Sequence, residues 1–381
     1  KDRRQVDNMF HNYKIRNLNI KLIIAAFLLT LIGLAVVTSA NSAYMKSQIL
    51  GMALGLAAMA VVAMIDYDFI LQFSWLYYVG VVGILLLVLL VGDDAGGAQR
   101  WIDFGFIRFQ PSELSKVLLI LFFACMLMRW EDEINTPKCL VKLAILAGIP
   151  LVLILKEPNL STTIVTFLII AAMIFMAGLD YRIVGIVLAV AIPLVILIVL
   201  LVLSGHGGFL EGYQGNRILA WLRPEDYPSL AYQQQNSIMA IGSGQITGKG
   251  LFNDAFDSVK NGNFISEPQT DFIFAVAGEE LGFAGGIVIV LLLAIITIEC
   301  FLTARKAKDL SGKLICSGIG AWIGFQSFVN IGVVTGLLPN TGLPLPFVSY
   351  GLTSLVSLYI GLGLVLNVGM QAKNRNRRSG I

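Results

Sequence analysis

Uninterrupted apolar runs of membrane-spanning length recur from one end of this chain to the other, and no other feature narrows its possible folds as far. The hydrocarbon core of a bilayer takes roughly 20 helical residues to cross. Runs of that kind, with few charges inside them, lie at approximately 18–39, 46–65, 69–91, 111–129, 138–155, 159–178, 182–204, 271–303, 312–335 and 350–370. Only 13% of the residues are charged, where a soluble domain carries about 25%, and 57% are hydrophobic. The expected fold class is an all-α polytopic membrane protein with about ten transmembrane helices. It forms a single membrane domain over 1–381, with its transmembrane core at 17–372 and no soluble domain, repeat or low-complexity tract. Cys125, Cys139, Cys300 and Cys316 sit in or beside the apolar runs without the spacing of a disulfide framework or a zinc site, and read as small apolar fillers.

An even number of spans puts both termini on one side. Short loops rich in Lys and Arg face the cytoplasm, and the basic residues gather at the tails 1–16 and 373–381 and in the turn Arg305-Lys306-Ala-Lys308. Both termini are therefore expected in the cytoplasm. The basic start leads into a run of full spanning length with no small-residue cleavage site, so it reads as a first span and not a signal peptide. The opposite, outer face then receives the 92–110 loop, the turn at Glu157-Pro158, the long 205–270 loop and the 336–349 segment. The long loop has short amphipathic patterns around Ile218 to Leu222 and Ser229 to Ile241, expected as helices lying at the interface. The 336–349 segment has three prolines in apolar surroundings. It is too apolar for an ordinary loop and too broken for a helix, which predicts a re-entrant segment before the last span.

Three patches on that outer face could carry chemistry. The first runs from Glu267 to Phe283, where Asp271 stands at the mouth of a span and Glu279 and Glu280 follow inside it. Ionisable groups in a membrane by default mark a functional site. Ala275, Gly278 and Gly282 follow Asp271 at i+4, i+7 and i+11, a small-residue face suited either to close helix packing or to part of a groove for a lipid tail. Asp271 as a simple helix N-terminal acid is the plainer alternative. Glu280 falls on the other side of the helix from Asp271, so the two do not form a two-carboxylate hydrolase pair.

The second patch is 97–116. Arg100 and Trp101 suit an interfacial anchor or a site for an anionic head group and a flat sugar or isoprenoid face; Pro111 suits the first turn of the next span, where Glu113 and Lys116 can pair at i,i+3. The third is Tyr232 to Gly250. Its Gly-Ser-Gly-Gln-Ile-Thr-Gly-Lys-Gly run fails the P-loop pattern, leaving a glycine-rich turn with Lys249 that could meet phosphate. There is no HExxH and no GxSxG, and His206 is one of only two histidines, so metal hydrolysis and serine chemistry have no support. Residues alone leave three classes open: an enzyme acting on a lipid-linked anion, a transporter of one, or a scaffold.

Five blocks carry a resemblance that runs in order through the chain. They are Gly97-Ala-Gln-Arg-Trp101; Gln110-Pro-Ser-Glu113 with Lys116; Ala240-Ile-Gly-Ser-Gly244 with Gly248-Lys-Gly250; Thr270-Asp-Phe-Ile-Phe-Ala275 with Glu279-Glu-Leu-Gly282; and Asn330-Ile-Gly through Leu343-Pro-Leu-Pro-Phe-Val-Ser-Tyr-Gly351. Together they resemble the SEDS family (shape, elongation, division and sporulation) of the RodA and FtsW type. The resemblance implies a ten-helix fold in the bacterial plasma membrane and peptidoglycan glycosyltransferase activity on lipid II at the outer face. It also implies a class B penicillin-binding protein as transpeptidase partner, contact with membrane lipid and none with nucleic acid.

By that resemblance Asp271 is the catalytic residue, as a base or as a ligand for a divalent cation such as Mg or Mn. Trp101, Arg100, Lys116, Lys249, Glu113, Gln233 and Ser349 are the substrate-binding candidates, and Glu279 and Glu280 are buried structural acids. A lipid II flippase and a non-catalytic scaffold for the penicillin-binding protein are the alternatives. This chain departs from the family's usual Gln-Pro-Asp-Leu-Gly-Thr with Glu157-Pro-Asn159-Leu-Ser161-Thr, so the carboxylate of that turn is displaced.

Overall fold

The computed structural model describes residues 15–94, 99–103, 108–157, 159–203, 213–252, 258, 262 and 264–372. The predicted tails lie outside the described residues, save for 15 and 16, as do His206 and Pro158. Each predicted apolar run is occupied by a helix. They are α1 (Ile20–Ala40), α2 (Met45–Met64), α3 (Ser74–Val91, after a short turn at Tyr67–Leu71), α4 (Pro111–Arg129), α5 (Pro137–Lys156), α6 (Leu160–Met176) and α7 (Tyr181–Leu203). Two further helices, α8 (Tyr213–Leu222) and α9 (Pro228–Ser243), fall in the long loop, and α10 (Ile273–Ala304), α11 (Leu310–Val334) and α12 (Leu352–Met370) complete the bundle. Among the described residues seven of these are long and apolar enough to cross a membrane, and α3, α6 and the Tyr181–Leu194 part of α7 are shorter apolar stretches, so this is a multi-pass membrane protein.

Local chemistry sets the helix starts. Pro111 and Pro137 occupy first turns, where a missing N–H costs nothing. Asn19, Thr136, Asn159 and Asp309 cap α1, α5, α6 and α11 by accepting from Leu22, Cys139, Thr162 and Gly312 N–H groups at 2.8–3.3 Å. The four cysteines are free and buried, as fillers should be. In the centre α2 and α12 pack closely, with Gly55 against the Tyr359 ring and Gly363 against the Met59 backbone.

The predicted 92–110 loop differs from expectation. It is a three-stranded antiparallel ribbon, β1 (Asp93–Asp94), β2 (Gln99–Asp103) and β3 (Arg108–Phe109), with Ile102 opposite Phe109. The alternation of Arg100, Trp101 and Ile102 suits a short two-faced strand, and the apolar flanks hid that period.

The 336–349 segment is non-helical and largely buried: Leu343, Leu345, Phe347, Val348 and Ser349 are all at most 5% exposed. It reaches the side of α1 well below that helix's end, since a Cβ added at Gly33 would lie 2.7 Å from the Val348 backbone. That is the re-entrant path expected, tolerated because protein surrounds it.

α10 is not one rod. Gly282 has φ +66°, which breaks the helix, and the 245–250 turn takes over the freed backbone groups. Phe283 and Ala284 N–H groups donate to the Gln245 and Ile246 carbonyls at 2.8 and 3.1 Å, while Lys249 and Gly250 N–H groups donate to the Glu279 and Glu280 carbonyls at 2.9 Å each. The stretch after the break is by itself about 33 Å long, enough to cross a bilayer. Glu279 and Glu280 therefore precede the crossing part of the helix instead of lying inside it, which corrects the sequence reading of a single span from 271.

Candidate active site

Asp271 sits in the turn just ahead of α10, held from below through main-chain carbonyls. The Asn330 amide donates both its hydrogens, one to the Asp271 carbonyl at 2.8 Å and one to the Leu343 carbonyl at 2.6 Å. The Ser349 hydroxyl donates to the Thr270 carbonyl at 2.6 Å and accepts from the Leu345 N–H at 2.7 Å; the Tyr350 N–H donates to the Gln269 carbonyl at 2.9 Å. Three successive carbonyls thus tie residues 269–271 to the re-entrant segment and α11, and the Asp271 side chain is left partly exposed above them.

The segment passes under the carboxylate at Gly342. A Cβ there would lie 3.1 Å from Asp271 Oδ2 and 3.8 Å from Arg217 Nη1, and the residue's φ of +71° favours glycine as well. Arg217, on α8, donates from Nη1 to the Asn340 carbonyl at 3.2 Å. Arg100, on β2, donates from Nε to the Glu157 carbonyl at 3.1 Å. Burial raises the Asp271 carboxyl to about 6; Arg217 and Arg100 pull it down and Glu267 pushes it up. One carboxyl poised near neutrality between two guanidinium groups can take a proton while an anion is held beside it.

The other predicted residues divide. Arg100 comes to the Asp271 mouth through its field on that carboxyl, and Trp101 is partly buried beside it on β2. Lys116 and Glu113 do not reach the mouth. Lys116 is fully buried, with Nζ donating to Glu113 Oε1 and Gln326 Oε1 at 2.7 Å each and lying 4.8 Å from the Trp322 ring centre; Glu113 Oε2 accepts from the Ser354 hydroxyl at 2.7 Å. Gln326 in turn donates to the Pro344 carbonyl at 2.9 Å, so this network anchors the re-entrant segment from beneath.

Lys249 pairs with Glu279 at 2.8 Å, with Glu279 buried and the lysine partly so. The cation expected for phosphate thus neutralises one of the two structural acids, and Glu280 accepts from the Ser39 hydroxyl at 2.6 Å. Gln233 is partly buried and donates to the Ser266 hydroxyl, and Ser349 belongs to the clamp described above. The small-residue face below Asp271 is filled: Gly278 packs on Ile241 and on Gly244, and Gly282 on Gly248. It packs helix on loop and leaves no room there for a lipid tail.

The sequence placed Glu267 only at the start of the first patch and Glu157 only in an outer turn, and it did not single out Arg217, since nothing local says that α8 folds back over Asp271. Asp271 offers a divalent cation a single carboxylate, so a pyrophosphate would have to complete its shell. Among the described residues no group of three His, Cys, Asp or Glu side chains is placed to hold one, and the two guanidinium groups already oppose the Asp271 charge.

Comparisons with known proteins bear on this geometry. The family model FtsW/RodA/SpoVE, described as cell cycle protein, matches residues 19–374. A protein of Escherichia coli O6:H1 named probable peptidoglycan glycosyltransferase FtsW is 35% identical over 312 residues, covering 80% of this chain and 72% of the relative. One of the same name from Geobacter metallireducens is 33% identical over 375 residues, covering 94% and 96%. Among solved structures, a chain of a peptidoglycan synthase complex that coordinates polymerization and crosslinking superposes with a TM-score of 0.76 at 28% identity, over 92% of this chain and 97% of that one. The crystal structure of the Thermus thermophilus rod shape determining protein RodA does so with a TM-score of 0.68 at 25% identity, over 96% and 99%.

Proposed function

The chain belongs to the FtsW/RodA/SpoVE family of cell cycle proteins, and from that premise we infer that it is a peptidoglycan glycosyltransferase that polymerises lipid II into glycan strands. Asp271 is the general base of this reading. It accepts the proton of the acceptor sugar's 4-hydroxyl as that oxygen attacks the anomeric carbon of the donor, and the bond to undecaprenyl pyrophosphate breaks with its electron pair leaving on the pyrophosphate. A glycosidase needs a second carboxyl to protonate a poor leaving group. A pyrophosphate leaves as a stable anion, so one carboxyl and nearby positive charge suffice. Arg217 and Arg100 supply that charge, in place of the lysines expected from the sequence. The observation that carries the reading is half-buried Asp271, its carboxyl raised to about 6 by burial against the opposing pull of those two guanidinium groups.

The site opens on the extracytoplasmic side of the bacterial plasma membrane and both termini are cytoplasmic. The basic turn Arg305 to Lys308 lies at the far end of α10 from Asp271, which supports that orientation. A class B penicillin-binding protein is the partner, a reading supported by the likeness to a chain from a complex that couples polymerization to crosslinking.

The test is a gel assay with labelled lipid II, the purified protein with its partner, and a transpeptidase blocker. Wild type is expected to make a glycan ladder and Asp271→Ala to make none, a loss of at least about a hundredfold, the scale of a missing general base. An equal ladder from the variant ends the catalytic assignment, and translocation without a ladder from wild type makes the protein a flippase.

A further inference from the structure

Glu157 is a carboxyl that the reaction above does not use. It closes the C-terminal end of α5, is 0% exposed, and neither carboxyl oxygen has a hydrogen-bond partner among the described residues. An ionised carboxylate so placed is strongly disfavoured unless it is paired or takes up a proton.

Among the described residues the charges around it are few. Arg100 faces it from β2, donating from Nε to the Glu157 carbonyl at 3.1 Å. Of the helices packed against α5, α6 has no titratable side chain, and α3 has only Tyr77 and Tyr78, the latter donating to the Leu146 carbonyl a good distance up α5. The 335–349 segment has none, Lys156 is exposed, and Asn159 is occupied in capping α6. Burial pushes the Glu157 carboxyl up to about 8 against the opposing pull of Arg100. The same guanidinium acts on Asp271, so one cation stands between two carboxyls.

We propose that Glu157 is a positioning residue for the anionic substrate: its carbonyl holds Arg100 toward the Asp271 mouth, and its buried side chain, by staying protonated, adds no negative charge where the pyrophosphate binds. Arg100, Arg217 and Glu267 already act on Asp271 there. An ionised Glu157 would add one negative charge to that neighbourhood and weaken the binding of an anion. This inference rests on the lipid II reading above and deepens it, by making substrate affinity pH-dependent through a residue outside the reacting atoms. It also accounts for the displaced carboxyl of the 157–162 turn, where Asn159 is neutral and Glu157 is the acid.

The experiment is direct binding of lipid II capped on its terminal 4-hydroxyl, which cannot be elongated and whose pyrophosphate diester keeps its charge over the range used. Affinity is measured for wild type and Glu157→Gln in lipid nanodiscs from pH 7 to 9.5, with KM and kcat for uncapped lipid II alongside. Wild type is expected to lose about tenfold in affinity, as a like charge introduced near the ligand predicts, and to show it as a rise in KM at constant kcat. E157Q is expected to stay within about twofold across the range. A parallel fall in both proteins, or no fall in wild type, overturns the proposal. If E157Q fails to fold by thermal melting, Glu157→Met, similar in volume and unable to ionise, is put through the same comparison. Binding with the expected pH dependence but no glycan ladder from wild type rejects the glycosyltransferase reading and leaves the Glu157 assignment standing.

Discussion

Asp271 is held in surroundings that oppose its own charge, which is what suits a base. Burial lifts it to about 6, so it is mostly ionised at neutral pH and still able to accept a proton. Polymerisation should fall about tenfold per pH unit below 6, as the base becomes protonated, and a pH–rate profile of kcat/KM would reveal that limb. The stability sign runs the other way. A carboxyl raised above its ordinary value favours the folded state at low pH, and that contribution is lost as the pH climbs from about 4 through about 6. Asp271→Asn should therefore melt higher than wild type above pH 6 while making no glycan; a lower melting temperature would contradict this account. As an acid at the mouth of an apolar run Asp271 stood out in the sequence, but its catalytic role came only from the family resemblance. Arg217 did not stand out, because its role depends on α8 returning over a residue far along the chain. Lys249 misled for the same reason, since Glu279 meets it only through the fold.

At the scale of elements, the re-entrant segment does two jobs. It reaches down beside Gly33 on α1 and passes up under Asp271 at Gly342. Three prolines in an apolar run announced the first job, but nothing local announced the second. Gly342→Ala would force a side chain against Asp271 Oδ2 in a left-handed conformation, a strain of about 1 kcal/mol or more before any displacement of the carboxyl. The expected result is a drop of at least about tenfold in kcat with a melting temperature changed by only a few degrees; full activity would mean that the segment gives way. The ribbon β1–β3 escaped the sequence reading because its strands are short and its flanks apolar. The broken α10 escaped it too: Gly282 reads as one more small residue on a helical face until its φ of +66° is seen.

Across the whole molecule, the all-helical multi-pass plan follows from composition and spacing alone, since a bilayer leaves so few ways to satisfy a backbone. What the spacing does not give is how the buried polar groups are shared out. Glu113, Lys116, Gln326, Trp322 and Ser354 link α4, α11 and α12 in one network beneath the re-entrant segment. The i,i+3 pairing of Glu113 and Lys116 was visible in the sequence; its burial and its third partner, Gln326, were not. Removing one partner of such a pair strands the other charge, at a cost of about 3–5 kcal/mol. Lys116→Met should accordingly lower the melting temperature of the whole protein in detergent, and Glu113→Gln in the same background should restore much of it; a harmless single variant would place the network outside the stability of the bundle.

The clamp around residues 269–271 has a further consequence for how this site can change. Asn330, Ser349 and Tyr350 grip residues 269–271 through main-chain carbonyls. Those hydrogen bonds do not read the side chain at 271. An exchange of that acid for one of similar size can be tried, by drift or by design, while the frame keeps its hold, so long as the new side chain clears Gly342.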